Sequence, residues 1–443
     1  MDSKLADHYT LGKLLKFTVP SICMMIVTSI YGVVDGIFVS NIVGSQAFAA
    51  VNLIMPFLMI LGTLGFMVGT GGSALVSRTL GQGDKKRALE YFSMLIEFVL
   101  VMGIVFSVLG AIFMRPIAVM LGAAGEILDQ CVIYGRILMI SLTGFMLQNA
   151  FQSFLVVAEK PRMGLAISIA SGLTNLVGDF LFIYVFRLGI AGAAAATAMG
   201  EWLGGLVPMI YFLCNCKGSL HLKLTKIELR PIGKACFNGV SEMLSNIAMS
   251  LVTMLYNLQL LKLVGSDGVV AFGIIMYISF IFAAAFIGYS IGSAPIVGYN
   301  YGAGNKKELH NVMKKSYGLI VVTGIVMCLA AEILSNVLAG IFVGYDAGLQ
   351  AMTSHAIRIY SLSFLLCGIS IYTSNFFTAL SNGVISAVIS FMRTLVFQVI
   401  MIYALPVIFG LDGIWGAVVA AEALSVILSV IMLLAHRKKY GYF

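Results

Sequence analysis

A chain of 443 residues that is 60% hydrophobic and only 10% charged cannot cover its apolar side chains with polar ones, and its mean hydropathy of +1.01 excludes a water-soluble globular protein. The formal net charge of +8 matches basic loops lying against anionic lipid, which leaves nucleic-acid binding without a role. Seven cysteines are scattered along the chain, and no disulfide framework or metal site is legible in their spacing.

The amino terminus, residues 1–16, is charged and amphipathic and lacks the short apolar core of a signal peptide, so the first span is expected to direct insertion. Taken in order, apolar segments predict spans near 17–40, 46–76, 88–113, 131–157, 163–186 and 190–214, then 232–262, 268–298, 309–338, 352–380, 384–409 and 413–435. Residues 36–77, 268–305 and 359–392 contain no Asp, Glu, Lys or Arg. Unpaired backbone groups cost several kcal/mol in hydrocarbon, so these spans are read as helices. The linker between the sixth and seventh spans alternates apolar and polar residues around Leu220-His-Leu-Lys-Leu224 and is read as a solvated tether.

Signposts recur at one displacement. Val43-Gly-Ser45 is answered by Val264-Gly-Ser266, and 264 − 43 = 221. Gly81-Gln-Gly-Asp-Lys85 is answered by Gly302-Ala-Gly-Asn-Lys306, and 302 − 81 = 221. Glu201 and Glu422 stand at the same separation. The displacement is half the chain, so two homologous halves are expected, 1–220 and 221–443. Each half has an even number of spans, so both enter the membrane in one orientation, and the axis relating them runs along the membrane normal. The expected fold is therefore an all-α membrane protein with twelve transmembrane helices in two six-helix lobes related by a pseudo-two-fold axis. Lys85, Lys86, Arg87, Lys160, Arg162, Lys306, Lys307 and Arg437-Lys-Lys439 gather on one predicted face, whereas the other has Arg115, Arg187 and Lys262. The positive-inside rule then puts both termini in the cytoplasm.

Ionisable residues inside spans are functional candidates, because each costs about 2.5–3.5 kcal/mol at the bilayer centre. They are Asp35, Glu97, Asp179, Glu201, Glu242, Glu332 and Glu422, with Arg136, Arg358 and Arg393 as bases. Glu201 and Glu422 are related by the repeat, as nearly are Arg136 and Arg358, and both sets read as structural. Asp35 and Asp179 have no acidic counterpart in the other half, where 35 + 221 is Tyr256 and 179 + 222 is Met401. Asn175 and Asp179 share one helix face one turn apart. Thr197 on the next span and Asp35 on the first reach a common level, roughly 10–14 Å below the outer surface at 1.5 Å per residue. Two carboxylates, an amide and a hydroxyl at one depth can bind a monovalent cation, or the acids can share a proton.

The duplicated six-span plan, the early aspartate, Asn175-Leu-Val-Gly-Asp179, Thr197 and the paired Gly-x-Gly-(Asp/Asn)-Lys-Lys loops resemble the multidrug and toxic compound extrusion (MATE) family, nearest its bacterial MepA-like branch. The resemblance covers nearly the whole chain. It implies a secondary exporter that antiports cationic amphipathic drugs or toxic metabolites against protons or sodium ions by alternating access. It implies no enzyme activity and no cofactor beyond the coupling ion. It assigns that ion to Asp35, Asn175, Asp179 and Thr197, and it makes Pro20 in the first span a candidate hinge. Some family members carry a second acidic site on the seventh and tenth spans. Glu242 matches the first of these positions, but no acid lies between Asp346 and Asp412. Glu242 is then expected to neutralise substrate or to pair with Arg393. A monomer is expected, surrounded by membrane lipid.

Two other readings are weaker. A lipid-linked oligosaccharide flippase of the same superfamily would want a basic cavity, which Arg136, Arg358 and Arg393 alone could supply. An intramembrane enzyme lacks a His-Glu-x-x-His motif, a nucleophile elbow and a phosphate-binding glycine loop.

Overall fold

The computed structural model describes residues 4–38, 42–43, 45–214 and 220–442, apart from the side chains of 33–38, 45 and 48. Among these residues every regular element is a helix. In the first lobe the helices are α1 (Leu11–Phe38), α2 (Ser45–Gly81), α3 (Lys85–Met120), α4 (Gly125–Val157), α5 (Pro161–Asp179) and α6 (Gly189–Cys214), with a π-helical turn, Phe180–Val185, continuing α5. The second lobe holds α7 (Leu229–Asn238), α8 (Val240–Val264), α9 (Ser266–Gly302), α10 (Lys306–Val343), α11 (Ala347–Ser361), α12 (Phe364–Ala379), α13 (Gly383–Phe391), a π turn Met392–Val396 and α14 (Phe397–Tyr440). Among the described residues ten segments are long and apolar enough to cross a membrane, and α11 with α12, bent by 47°, make an eleventh. The 58-residue segment Gly383–Tyr440 is broken at Gly410, where φ is 57°, and so supplies two spans, giving the expected twelve. The chain is a multi-pass membrane protein.

The repeat is written into the backbone as well as the sequence. α2 and α9 are both 37 residues long and begin 221 residues apart. Gly83 and Gly304 take up positive φ, and next to each an Asx side chain caps the following helix: Asp84 accepts from Arg87 N–H and Asn305 from Glu308 N–H. Gly189 and Gly410 repeat the pattern at φ 59° and 57°.

The halves differ where single helices break. α1 runs through Pro20 without interruption, but its counterpart is divided at Gly239 into the short α7 and the membrane-crossing α8. α4 is continuous, and its counterpart is the bent pair α11 and α12. The linker is not a loose tether. Ser93 on α3 donates to His221 O and accepts from Lys223 N–H, Arg87 pairs with Glu228 at 2.7 Å, and Leu220 is buried.

Each lobe has its own apolar core. One gathers residues of α2 to α6 around Phe92, Phe151, Phe154 and Phe212, and the other gathers α8 to α14 around Phe286, Tyr372, Phe376 and Trp415. The lobes exchange their ends. Leu5, Tyr9 and Leu14 belong to the second core, and Ile232 and Ala235 belong to the first.

The lobes meet along glycines. Gly81 packs on the backbone of Tyr299, and Gly302 packs on that of Arg78, the two contacts being images of each other under the repeat. Gly71 meets Gly239 while Gly292 meets Thr18, a second pair of images; Gly239 also meets Met67, and Gly288 meets Ser21 and Ile22. Such reciprocal contacts are what a two-fold axis generates. A Cβ on Gly71, Gly81, Gly239, Gly288 or Gly302 would come closer to opposing backbone than real Cβ atoms do. All these contacts lie in the half of the bundle nearer the chain termini, so the lobes are closed together at that face.

The amino-terminal segment is fastened to the second lobe by a buried polar cluster. Glu308, 6% exposed, accepts from Tyr9 N–H at 2.9 Å and from Asn311 at 2.8 Å and contacts His8 at 2.7 Å, while Lys315 donates to Tyr9 O at 2.6 Å. Burial, with the carboxylates of Glu159, Asp7 and Glu308 around it, pushes the Tyr9 hydroxyl above its ordinary range.

Gly302→Val is expected to lower the thermal unfolding midpoint of the purified protein by several degrees, reflecting about 1–3 kcal/mol of overpacking. Gly273→Ala, in the same helix and facing open space, is the control and should be neutral or stabilising. Equal behaviour of the two variants would show that the seam tolerates side chains. Glu308→Ala should accelerate hydrogen exchange over residues 4–16 by at least tenfold, read by mass spectrometry.

Candidate functional site

Asn175, Asp179 and Thr197 are held by the α5–α6 hairpin. Its helices approach closely because small residues face each other: Gly178 lies against Ala196, Gly192 against Phe182, and Gly200 against Ser171 and Asn175. Ser171 donates to Gly200 O at 2.7 Å, tying the helices together one turn below. In this register Asn175 Nδ2 reaches Thr197 Oγ1 at 3.4 Å, a long contact, and Thr197 in turn donates to Ala193 O at 3.1 Å. Asp179, one turn beyond Asn175, is fully buried. The helix changes from α to π directly after it, which widens the backbone at this point. Sequence patterning carries no signal for that change.

The side chain of Asp35 lies outside the described residues. Its backbone belongs to the last turns of α1, and the packing of α1 on α5 gives its level. Gly164 meets Met24 and Gly172 meets Tyr31, so the helices run side by side in the same direction. One turn beyond Tyr31 brings the α1 backbone at Asp35 level with residues 175–179 of α5. Pro20 is buried next to Thr18, Ser21 and Ile22, which pack on Gly288 and Gly292 of α9. The proline therefore sits in the seam between the lobes.

The second lobe holds a different arrangement at a related place. Arg393, in the π turn between α13 and α14, donates from Nε to both oxygens of Glu422 at 2.9 and 3.0 Å. Glu422 is 4% and Arg393 20% exposed at the side chain. The hydrogen-bonded partner of Arg393 is thus Glu422 on the last span and not Glu242. Glu242, in the first turn of α8, lies within range of the Arg393 charge. Glu201, the repeat equivalent of Glu422, instead accepts from Ser141 on α4 at 2.5 Å. The two glutamates occupy matching positions and hold different partners.

Three of the remaining intramembrane charges have structural partners. Glu332 accepts from Ser361 at 3.0 Å, and Arg358 donates to Ser335 at 3.0 Å. Arg136 is exposed and donates to Ala111 O at 3.3 Å. These contacts, with Arg393 neutralised by Glu422, leave no basic cavity formed by the three arginines among the described residues.

Three comparisons bear on this arrangement. The MatE family model matches the chain twice, over residues 20–181 and 243–404, once in each half. The multidrug export protein MepA of Staphylococcus aureus (strain MRSA252) is 24% identical over 420 residues, covering 95% of this chain and 92% of that one. MepA of Staphylococcus saprophyticus is 25% identical over 423 residues with the same coverage. Among solved structures, the outward-facing conformation of a multidrug resistance MATE family transporter of the MOP superfamily superposes with a TM-score of 0.92 at 21% identity, covering 98% of each chain.

Removing one member of the buried Arg393–Glu422 pair leaves an uncompensated charge, so Glu422→Leu is expected to cost about 3–5 kcal/mol. The double variant Arg393→Met with Glu422→Leu should recover most of that loss in thermal unfolding. A double variant no more stable than the single one would show that the pair is not the source of the effect.

Proposed function

The chain belongs to the MatE family, whose members are transporters and not enzymes, and from that premise we propose that it is a secondary active multidrug exporter driven by a proton or sodium gradient. The observation that carries this reading is the buried Asp179 beside the Asn175–Thr197 contact, inside the membrane and in one lobe only. A carboxylate in hydrocarbon is stable when protonated or when a cation neutralises it. Exchange of that proton or cation changes the local charge by one unit, and the same change can alter how α1 and α5 pack. Asp35 is the second acid of the site, Asn175 and Thr197 supply neutral oxygens, and a monovalent cation or a shared proton is the ligand.

The named function of the MepA relatives, multidrug export, supports small cationic amphipathic substrates. Placing the basic face in the cytoplasm, with both termini, makes the glycine seam a cytoplasmic closure, and the conformation is then outward-facing. Alternating access would part the seam and close the opposite face, with residues 1–220 and 221–443 as the moving lobes. Pro20 serves as the hinge because a proline leaves the carbonyl of Lys16 without its helical donor, inside the seam itself. Glu242 supplies a second-lobe carboxylate for the substrate cation, while Arg393 is held by Glu422. The protein works as a monomer in a bacterial cytoplasmic membrane. A flippase for lipid-linked oligosaccharide has less support, because the candidate arginines already hold protein partners.

Purified protein in liposomes, loaded with ethidium and given sodium and pH gradients separately, tests the proposal. Efflux should follow one gradient and fall to the level of empty liposomes in Asp35→Asn and Asp179→Asn. Asn175→Ala should slow it by about tenfold, the loss of one ligand corresponding to roughly 1.4 kcal/mol. Full gradient-driven efflux by either aspartate variant would discard the site.

A further inference from the structure

Outside the proposed ion site, a cavity of about 800 Å³ lies at the terminal face. One wall is the amino-terminal segment and the start of α1, with Lys4, Lys13 and Lys16. The opposite wall is the turn from α4 into α5, with Lys160 and Arg162. Asp7 and Glu159 are the acids of the lining, so five cations face two carboxylates, an excess of 5 − 2 = 3 positive charges. Lys13 already spends part of its charge on Asp7 at 3.4 Å. A cationic drug is repelled from such a space, and an anion is drawn into it.

The anion has a membrane end. Lys16 is the last charged residue of α1 before Asp35, so the cavity lies where the helices pass from charged to apolar sequence. Phe17, Met163 and Tyr211 form a partly buried apolar floor. Arg162 heads a stripe on α5 at helical spacing, Ala166, Ile169 and Leu173, all exposed, with Ile169 at 40% and Leu173 at 55%. A charged head above a continuous apolar stripe matches the two ends of a phospholipid.

The two walls are anchored in different cores, the amino-terminal segment in the second through Leu5, Tyr9 and Leu14 and the turn from α4 into α5 in the first. Lys4, Lys13 and Lys16 ride on the segment fastened to α10 through Tyr9 and Glu308. Lys160 and Arg162 belong to the first lobe, whose core includes Leu155 and Val157 just before the turn. We propose that this cavity binds the phosphate headgroup of an anionic glycerophospholipid, and that the bound headgroup clamps the two lobes together at the terminal face. The lipid then favours the conformation with a closed seam, because it binds both walls only when they are adjacent. Loss of the headgroup favours separation of the lobes.

Full-length protein in neutral detergent, titrated with phosphatidylglycerol and monitored by native mass spectrometry and thermal unfolding, tests this. Phosphatidylglycerol should bind and raise the midpoint, and phosphatidylcholine should not. Lys160→Glu with Arg162→Glu should weaken phosphatidylglycerol binding at least tenfold. Lys160→Gln with Arg162→Gln gives the same direction should charge reversal impair folding. Lys307→Glu with Lys314→Glu, exposed on α10 and outside the cavity, should bind as the parent does. Hydrogen exchange over residues 4–16 should slow on adding the lipid. Unchanged binding by both cavity variants, or equal losses in the α10 control, would overturn the site. A midpoint shift by sodium phosphate equal to that by phosphatidylglycerol would overturn the lipid assignment in favour of a soluble phosphate. Binding without slower exchange would overturn the clamp.

Discussion

The close approach of two backbones at the glycine seam is the constraint on which the rest of the molecule depends. In lipid, no hydrophobic force drives one helix onto another, because acyl chains are as apolar as the side chains they would leave. Association then rests on packing, and packing is densest where no Cβ intervenes. Gly81 against Tyr299 and Gly302 against Arg78 provide that contact twice, once on each side of the axis. Because the contacts are mutual images, they fix position and rotation of one lobe on the other. Small-residue contacts also carry little directional bonding, so they can part without stranding buried hydrogen-bonding groups.

Around this axis the two lobes have diverged in chemistry while keeping their backbone plan. Matching glycines adopt matching positive φ, and matching Asx residues cap matching helices. At the fifth span of each lobe a π turn interrupts the helix, but the two turns stand at different heights. In the first lobe the turn follows a buried aspartate. In the second it carries an arginine already neutralised by Glu422. The asymmetry gives one lobe a buried aspartate and the other an internally compensated pair. A duplicated scaffold therefore need not duplicate a site.

The ends of the chain reinforce the coupling between lobes. Leu5, Tyr9 and Leu14 lie in the core of the second lobe, although they lead directly into the first span of the first. The start of the second half, Ile232 and Ala235, lies in the core of the first. Each lobe is thus gripped by the other's leading segment, and movement at the seam must be transmitted to α1, which carries both Pro20 and Asp35. The basic cavity beneath α1 sits on that same path.

The sequence by itself determined the solvent, the number of spans and the duplication, because hydropathy and a fixed displacement of 221 residues survive without any tertiary information, and it singled out Asp179 and Glu422, which are buried, while the buried Glu308 escaped it. It also carried the level of Asn175, Asp179 and Thr197, since a tight hairpin makes depth a matter of counting from its tip. Partners were beyond its reach. The choice of Glu422 over Glu242 for Arg393, and of Ser141 for Glu201, depends on which helix faces which across a lobe interior, and periodicity along one helix says nothing of that. The break at Gly239, the docking of the linker on α3 and the π turns likewise arise where packing between helices overrides local preference. Tertiary structure decided these features because each is an interaction between segments far apart in the chain.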